Sequence, residues 1–456
     1  MMTVHYSDSL KAYSANLCQT IRSEYAIDEH YYNDSVKRGL RNSDGTGVVA
    51  GVSRIGSVIG YSMEDGLRIA QPGHLYYRGF DVEDIVASHR KDNSFGYDEI
   101  AYLLLCGALP NAEQKAQFDL ALSDEKALPD SFFEEEIFKA IKRGTVPDMM
   151  NLLQRCVLAL YNYDSDPENT SIENVLLQSI SLIARIPSIV ALSYATKRHF
   201  TDNESLYIHN VKGQLSAAEN FLRLIRRDKA FHDKEAKLLD ALLMLHAEHS
   251  GGNNSAFTCR CVSSTGSDTY SAIAAAIGSL KGPLHGGANA AVMNMIDDIK
   301  ANVRDVKDDD EVRAYLAKIL DKEANDRSGV IYGLGHAVYT ISDPRAQTIK
   351  GFIEELCDGQ NDEFEIAKRV ESIGIPMLMA HKGKSTPICA NLDLYSGIVY
   401  SMLGIPKDLY TPIFAVARIS GWCAHRLEEI VTGGKIMRPA YRIAVKKREF
   451  IPLEQR

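Results

Sequence analysis

From Asp81 onward the sequence is punctuated at short intervals by helix starts and stops, and this punctuation limits the possible folds more than any other feature. Asp98 is expected to cap an apolar-periodic run through Ile100, Leu103, Leu104 and Leu105 that ends at Gly107, and Pro110-Asn111 opens the next. Pro129-Asp130 precedes Phe133, Ile137, Phe138 and Ile141, stopped by Gly144, and Pro147-Asp148 precedes Met150, Leu153, Val157 and Leu160. Residues 171–185 read as a helix closed by Ile186-Pro187, with 189–194 following as another; 216–225 and 234–247 add two more. Helices of about 10 to 18 residues on short loops describe a mainly α protein, and the absence of a fixed-period repeat argues against a solenoid. Upstream, residues 1–25 predict an amphipathic helix through Leu10, Tyr13, Leu17 and Ile21. The β-branched, glycine-punctuated stretch from Val48 to Tyr61 predicts the main strand, and 74–79 a short strand or turn, so a small β element sits near the N-terminus.

A chain of 456 residues has the length for two lobes. Its formal charge of −9 and lack of a basic face argue against nucleic acid, so any anionic ligand must meet positive charge that is local. No apolar signal region is visible at the N-terminus and no run approaches the roughly 18 apolar residues of a membrane span, so a cytoplasmic protein is expected. The eight cysteines, Cys18, Cys106, Cys156, Cys259, Cys261, Cys357, Cys389 and Cys423, form no CxxC pair and read as reduced, buried thiols.

Three stretches place an ionisable side chain at an abrupt turn. In Lys281-Gly282-Pro283-Leu284-His285-Gly286-Gly287-Ala288-Asn289, His285 lies beside the first turn of a helix. There the exposed N–H groups and the dipole disfavour imidazolium, so a neutral hydrogen-bond donor is expected. Tyr332-Gly333-Leu334-Gly335-His336-Ala337-Val338-Tyr339 surrounds His336 with glycines, and Asp343-Pro344-Arg345 follows. Asn391-Leu392-Asp393-Leu394-Tyr395-Ser396-Gly397 places Asp393 before an apolar run, where an N-cap is the plainer reading of that residue alone. Two further patterns lead nowhere. His246-Ala247-Glu248-His249 puts two histidines on one helical face, but the spacing is not HExxH and no third ligand is evident. Gly333-Leu334-Gly335 has neither the preceding strand nor the third glycine of a dinucleotide fingerprint.

Taken together, the three stretches resemble the citrate synthase family, in which GPLHGGAN, GxGHxVY followed by DPR, and NxDxYSG occur in this order. Thr46-Gly47-Val48-Val49, Leu75-Tyr76-Tyr77-Arg78-Gly79-Phe80, Ala101-Tyr102-Leu103-Leu104, Ser216-Ala217-Ala218-Glu219-Asn220, His246 to Asn253 and Arg438-Pro439 extend the likeness from about residue 45 to about 440. The resemblance implies a mainly α, two-domain architecture, with residues 1–286 and 405–456 in a large domain and 287–404 in a small one that closes on substrate. It implies condensation of acetyl-CoA with oxaloacetate and hydrolysis of citryl-CoA, the step that feeds the tricarboxylic acid cycle, with no cofactor beyond the CoA thioester and no metal. The close relative 2-methylcitrate synthase, which takes propionyl-CoA, is the alternative; a non-catalytic helical homologue is a more distant one.

By that resemblance Asp393 is the base, His285 donates to the enolate oxygen and His336 polarises the oxaloacetate carbonyl. His249, Arg345, Arg418 and Arg438 would bind oxaloacetate, guanidinium forks being suited to its carboxylates. Arg438 would reach the site of a neighbouring subunit, which implies a homodimer. CoA would follow the loop at Leu334, Gly335 and Ala337, with Lys384 a candidate phosphate contact. The chain departs from several members in carrying Thr340, rather than an arginine that meets CoA phosphate, four residues after His336.

Overall fold

Several helix starts in this chain are written by side chains that satisfy the first free N–H groups, and the computed structural model shows them in place; Asp98 is not one of them, because helix Tyr97–Cys106 already begins at Tyr97, after Gly96, with no side-chain cap. Asn111 with Gln114 and Ser216 with Glu219 form reciprocal capping boxes, opening helices Ala112–Glu125 and Ala217–Ile225. Gly107 closes helix Tyr97–Cys106 in the left-handed conformation, φ 85°. The structure describes residues 6–33, 35–144, 148–356, 361–383 and 387–456.

The described residues fall into two units. One comprises Met1–Ala50 with Ile436–Arg456, the other Gly51–Lys435. In the first, the expected amphipathic helix spans Asp8–Glu24 and is capped by Ser7. None of its residues is buried, and Leu10, Tyr13, Leu17 and Ile21 all stay exposed. The Tyr31 hydroxyl donates to Ala444 O at 3.3 Å and Arg442 donates to Ser35 Oγ at 3.2 Å, joining the two segments of this unit.

The second unit is mainly α with one small antiparallel sheet. Strands β1 (Gly56–Glu64), β2 (Leu67–Tyr77) and β3 (Phe80–Asp81) run in sequence order. The strand therefore begins at Gly56, not Val48. Val49 and Val52 are nearly fully exposed, so β-propensity upstream of Gly56 meets no surface against which to pack. The long arm of β2 includes Pro72 and Gly73, residues that discourage a strand reading.

Helix Tyr410–Val431 is the axis of the core. It packs against Ile172–Thr201, Tyr97–Cys106, Asn254–Ser263, Thr269–Lys281 and Asp233–His246, and Trp422 is completely buried in it. Ile172–Thr201 is one 30-residue helix, so Pro187 does not end it as the sequence suggested. Pro187 is buried within the helix, and packing of the flanking turns offsets the lost hydrogen bond. This helix is also long and apolar enough to cross a membrane by composition, but 67% of its most apolar window is buried inside the protein. Among the described cysteines all are free, with Cys18 and Cys106 exposed rather than buried; Cys357 lies outside the described residues.

Asp240 links two of these helices by accepting from the Gly96 N–H at 2.6 Å. Burial pushes its carboxyl from 3.8 up to about 7, against the pull of the Gly96 and Tyr97 N–H groups. The folded state thus holds this proton more tightly than the unfolded chain, so the contribution is complete below about pH 4 and is lost as pH rises through about 7. Thermal midpoints measured from pH 4 to 8 should fall less steeply with pH in Asp240→Asn than in the wild type.

Candidate active site

The turn after helix Asp233–His246 carries a buried cluster. Tyr77 in β2 pins it, its hydroxyl accepting from the Glu248 N–H at 3.3 Å and donating into the carbonyls of Met244, Leu245 and Glu248 at 3.0–3.3 Å. Glu248 is fully buried and pairs with His425 Nε2 at 2.9 Å. Arg260 reaches His425 Nδ1 at 3.2 Å, Glu428 at 2.6 Å and Glu429 at 3.0 Å, extending the network outward. This anchoring sets His246 and His249 beside Arg418.

Arg418 is 0% exposed. Its Nε donates to His246 O at 2.5 Å and its guanidinium lies 4.7 Å from the Phe414 ring centroid. NH1 and NH2 are buried without a hydrogen-bond partner among the described residues. Burial lowers the Arg418 pKa to about 10, with Glu248 and Tyr77 opposing it, so the charge persists at neutral pH. Arg345, also buried, is gripped by Asp343, which accepts from Nε at 3.0 Å and NH2 at 2.8 Å. Burial would weaken that charge, but Asp343 raises its pKa on balance. One edge of the Arg345 fork is therefore occupied, leaving the NH1 side for a ligand. Burial first, then Arg345 and Arg418, depress His246 and His249 well below 6.5, so both are neutral.

The three turn motifs converge on this cluster. His336 lies 5.1 Å from His249 and 4.5 Å from Tyr339 between ring centroids. Its Nδ1 accepts from the Val338 and Tyr339 N–H groups at 3.0 and 3.1 Å, which puts the imidazole proton on Nε2. His285 sits in the turn ahead of helix Ala288–Asn302 and is neutral as expected, its pKa lowered to about 4. The causes are burial and then the Arg418 charge. Its Nε2 lies 3.2 Å from Ser255 Oγ, which accepts from Trp422 Nε1 at 3.1 Å. Ser255 Oγ also donates to Asn253 Oδ1 at 2.8 Å, and which way the His285 Nε2 contact runs follows the imidazole tautomer.

Asp393 is the first residue of helix Asp393–Met402 and does not cap it. Instead Asn391 Oδ1 accepts from the Asp393 N–H at 3.0 Å. Burial raises its pKa to about 6, with Arg345 and Arg418 pulling the other way and Asp343 reinforcing the rise. The motif residues also lock to one another. Asn289 donates to Ser396, and a side chain at Gly397 would overlap Met293 and Asn289. Gly333, at φ 85°, leaves no room for a Cβ against Leu394, and Asn391 donates to Gly335 O at 2.9 Å.

Gly335 also donates to Cys389 O at 2.8 Å, so its polar backbone is engaged within the protein, while Ala337 is exposed and Leu334 half-buried. Lys384 lies outside the described residues. Arg438 is exposed and belongs to the first unit.

The family described as "Citrate synthase, C-terminal domain" matches residues 44–440. The chain belongs to the citrate synthase family. The Deinococcus radiodurans citrate synthase is 37% identical over 334 residues, covering 73% of this chain and 81% of that one. A 2-methylcitrate synthase of Shewanella oneidensis is 34% identical over 385 residues, 84% and 92% of the two chains. The fold is similar to citrate synthase of the archaeon Thermoplasma acidophilum, solved in a ternary complex with carboxymethyl coenzyme A and oxaloacetate. That likeness has TM-score 0.72 and 27% identity over 90% of this chain and 97% of the other.

Within this citrate synthase scaffold the sequence had not singled out Asp343 as the partner of Arg345, nor the Glu248–His425–Arg260 network or the Ser255–Trp422 pair. Asp343 stands in the DPR motif itself, a legible signal; His425 and Trp422 lie far along the chain among apolar residues. Ser255→Ala should leave the buried Trp422 N–H unpartnered and cost about 1–3 kcal/mol of stability. A calorimetric unfolding midpoint lower than that of the wild type checks this.

Proposed function

We propose that this protein condenses acetyl-CoA with oxaloacetate and hydrolyses the resulting citryl-CoA to citrate and CoA, feeding the tricarboxylic acid cycle. The observation that carries this reading is the buried Arg418 fork. Two unpartnered NH2 groups beside a second buried arginine and neutral histidines suit a small dicarboxylate, and Asp393 stands nearby with its pKa raised to about 6. The named ligands of the Thermoplasma acidophilum relative favour the same substrates.

Oxaloacetate carboxylates bind Arg418 and the free edge of Arg345, with His249 beside them, and the ketone oxygen takes the His336 Nε2–H. Asp393 removes a methyl proton from acetyl-CoA while His285 donates to the thioester oxygen, because a carbon acid this weak needs base and oxyanion support together. The enolate carbon attacks the ketone carbon, a C–C bond forms, and His336 protonates the new alkoxide. Water then cleaves the citryl thioester, releasing citrate and CoA thiol. These groups supply the acid, base and charge the reaction needs, without a further cofactor. The same residues would serve propionyl-CoA, whose extra methylene is worth only about 1 to 3 kcal/mol in a pocket. A homodimer in which Arg438 reaches the site of a second copy, and a cytoplasmic setting, complete the proposal.

Free-thiol release should be measured from acetyl-CoA and from propionyl-CoA, each with oxaloacetate. Acetyl-CoA should show the larger kcat/KM; a lead for propionyl-CoA would replace this reading by 2-methylcitrate synthesis. Asp393→Ala should lose about 100-fold or more in rate. Because the base must be ionised, wild-type kcat/KM should fall as pH drops below about 6. A rate that is flat from pH 7 to 5 would remove Asp393 from the role of base.

A further inference from the structure

The long β1–β2 hairpin has an irregular ladder. Its register breaks between Ile59 and Tyr61: Ile59 pairs with His74 but Tyr61 pairs with Ala70, so one residue on β1 faces three on β2. The groups at this break contact the segment from Val338 to Ser342, which runs from His336 to Asp343 and Arg345. Thr340, 2% exposed, donates its hydroxyl to Gly60 O and lies 3.1 Å from Gln71 O. The Gly73 N–H donates to Ser342 Oγ at 3.0 Å. Arg68, stacked 4.1 Å over the Tyr61 ring, donates from NH2 to Val338 O at 3.3 Å.

The approach is close enough to exclude side chains. A Cβ at Gly60 would lie 2.6 Å from Val338 O and 2.7 Å from Tyr339 Cα, and one at Gly73 would overlap Ser342 O. Backbone therefore meets backbone, with Thr340 the side chain buried between them. The gripped segment is also the one whose N–H groups, at Val338 and Tyr339, hold His336 Nδ1 as an acceptor.

We infer that the break in the β1–β2 ladder is a latch for the His336 loop, and that Thr340 is a positioning residue for the condensation. Thr340 does not touch the reacting atoms. It holds Val338 and Tyr339 against the hairpin so that their N–H groups fix the imidazole with its proton on Nε2, aimed as donor to the substrate ketone. A loosened loop lets the ring turn or exchange tautomers, and the donor then spends less time in place. The inference rests on the condensation reading above.

The test compares wild type, Thr340→Val, which removes the hydroxyl at nearly constant volume, and Thr340→Ser, which restores it. Full-length protein is assayed for kcat and for KM of each substrate, with thermal midpoints measured alongside. The expected result for T340V is a kcat roughly tenfold or more below wild type, at saturating substrates and with KM for acetyl-CoA within twofold. T340S should return kcat to within about threefold of wild type. In spectra of protein labelled with 15N-histidine, the His336 Nδ1 signal, assigned by its loss in His336→Asn, should keep its acceptor-type shift in wild type and T340S and move towards the protonated type in T340V. If T340V does not fold, Thr340→Ala carries the same comparison. A folded T340V or T340A with wild-type kcat and an unmoved His336 signal overturns the latch. A kcat loss that T340S does not restore overturns the role assigned to the hydroxyl. Absence of thiol release by the wild type itself would instead refute the condensation reading, and the nitrogen spectra would still decide whether Thr340 holds His336.

Discussion

A fully buried guanidinium with only its Nε hydrogen-bonded among the described residues is the constraint around which this structure is arranged. Taking such a charge from water costs several kcal/mol even after relaxation. At Arg418 that cost is offset in part by the His246 carbonyl, by the Phe414 ring and by Glu248. Glu248 is itself a buried charge, stabilised by His425 at 2.9 Å. The result is a positive site inside a protein whose net charge is −9, where local placement rather than overall charge decides what binds.

The same field sets the chemistry of its neighbours. Near Arg345 and Arg418, and out of water, the imidazoles of His246, His249 and His285 cannot hold a second proton, so all three stay neutral. For Asp393 the two effects oppose each other. Burial raises its pKa while the arginines lower it, and burial wins by enough to leave it near 6, basic enough to accept a proton yet ionised at neutral pH. One environment thus holds three imidazoles neutral and one carboxyl with a raised pKa, from ordinary side chains.

Much of the helical fold was legible because the caps that end helices are local: Asn111 with Gln114, Ser216 with Glu219 and the left-handed Gly107 act through neighbours in sequence. Two readings failed where packing across the fold overrode local preference. Pro187 stays inside a long helix because the flanking turns are buried, and Val49 and Val52 make no strand because nothing among the described residues covers them. In the site, the motif residues His285, His336, Asp393 and Arg345 declared themselves by abrupt glycine turns and proline. Their supports did not, because Trp422 and His425 sit within a continuous apolar helix and take their meaning from Ser255 and Glu248, which lie more than 160 residues away. The hairpin that grips Val338 to Ser342 was hidden for a similar reason: its effect comes from a break in register, which no periodicity in sequence announces.

The account stands most directly on Arg418 as the anchor of a dicarboxylate, and calorimetric titration of oxaloacetate into wild type, Arg418→Lys and Arg418→Met tests it. Methionine fills much of the buried volume without a charge, so the variant should remain folded. The account predicts that R418M weakens binding about 100-fold, or ~3 kcal/mol, and that R418K recovers only part, because an ammonium does not reproduce the two-pronged fork. Binding by a folded R418M within threefold of wild type would contradict it.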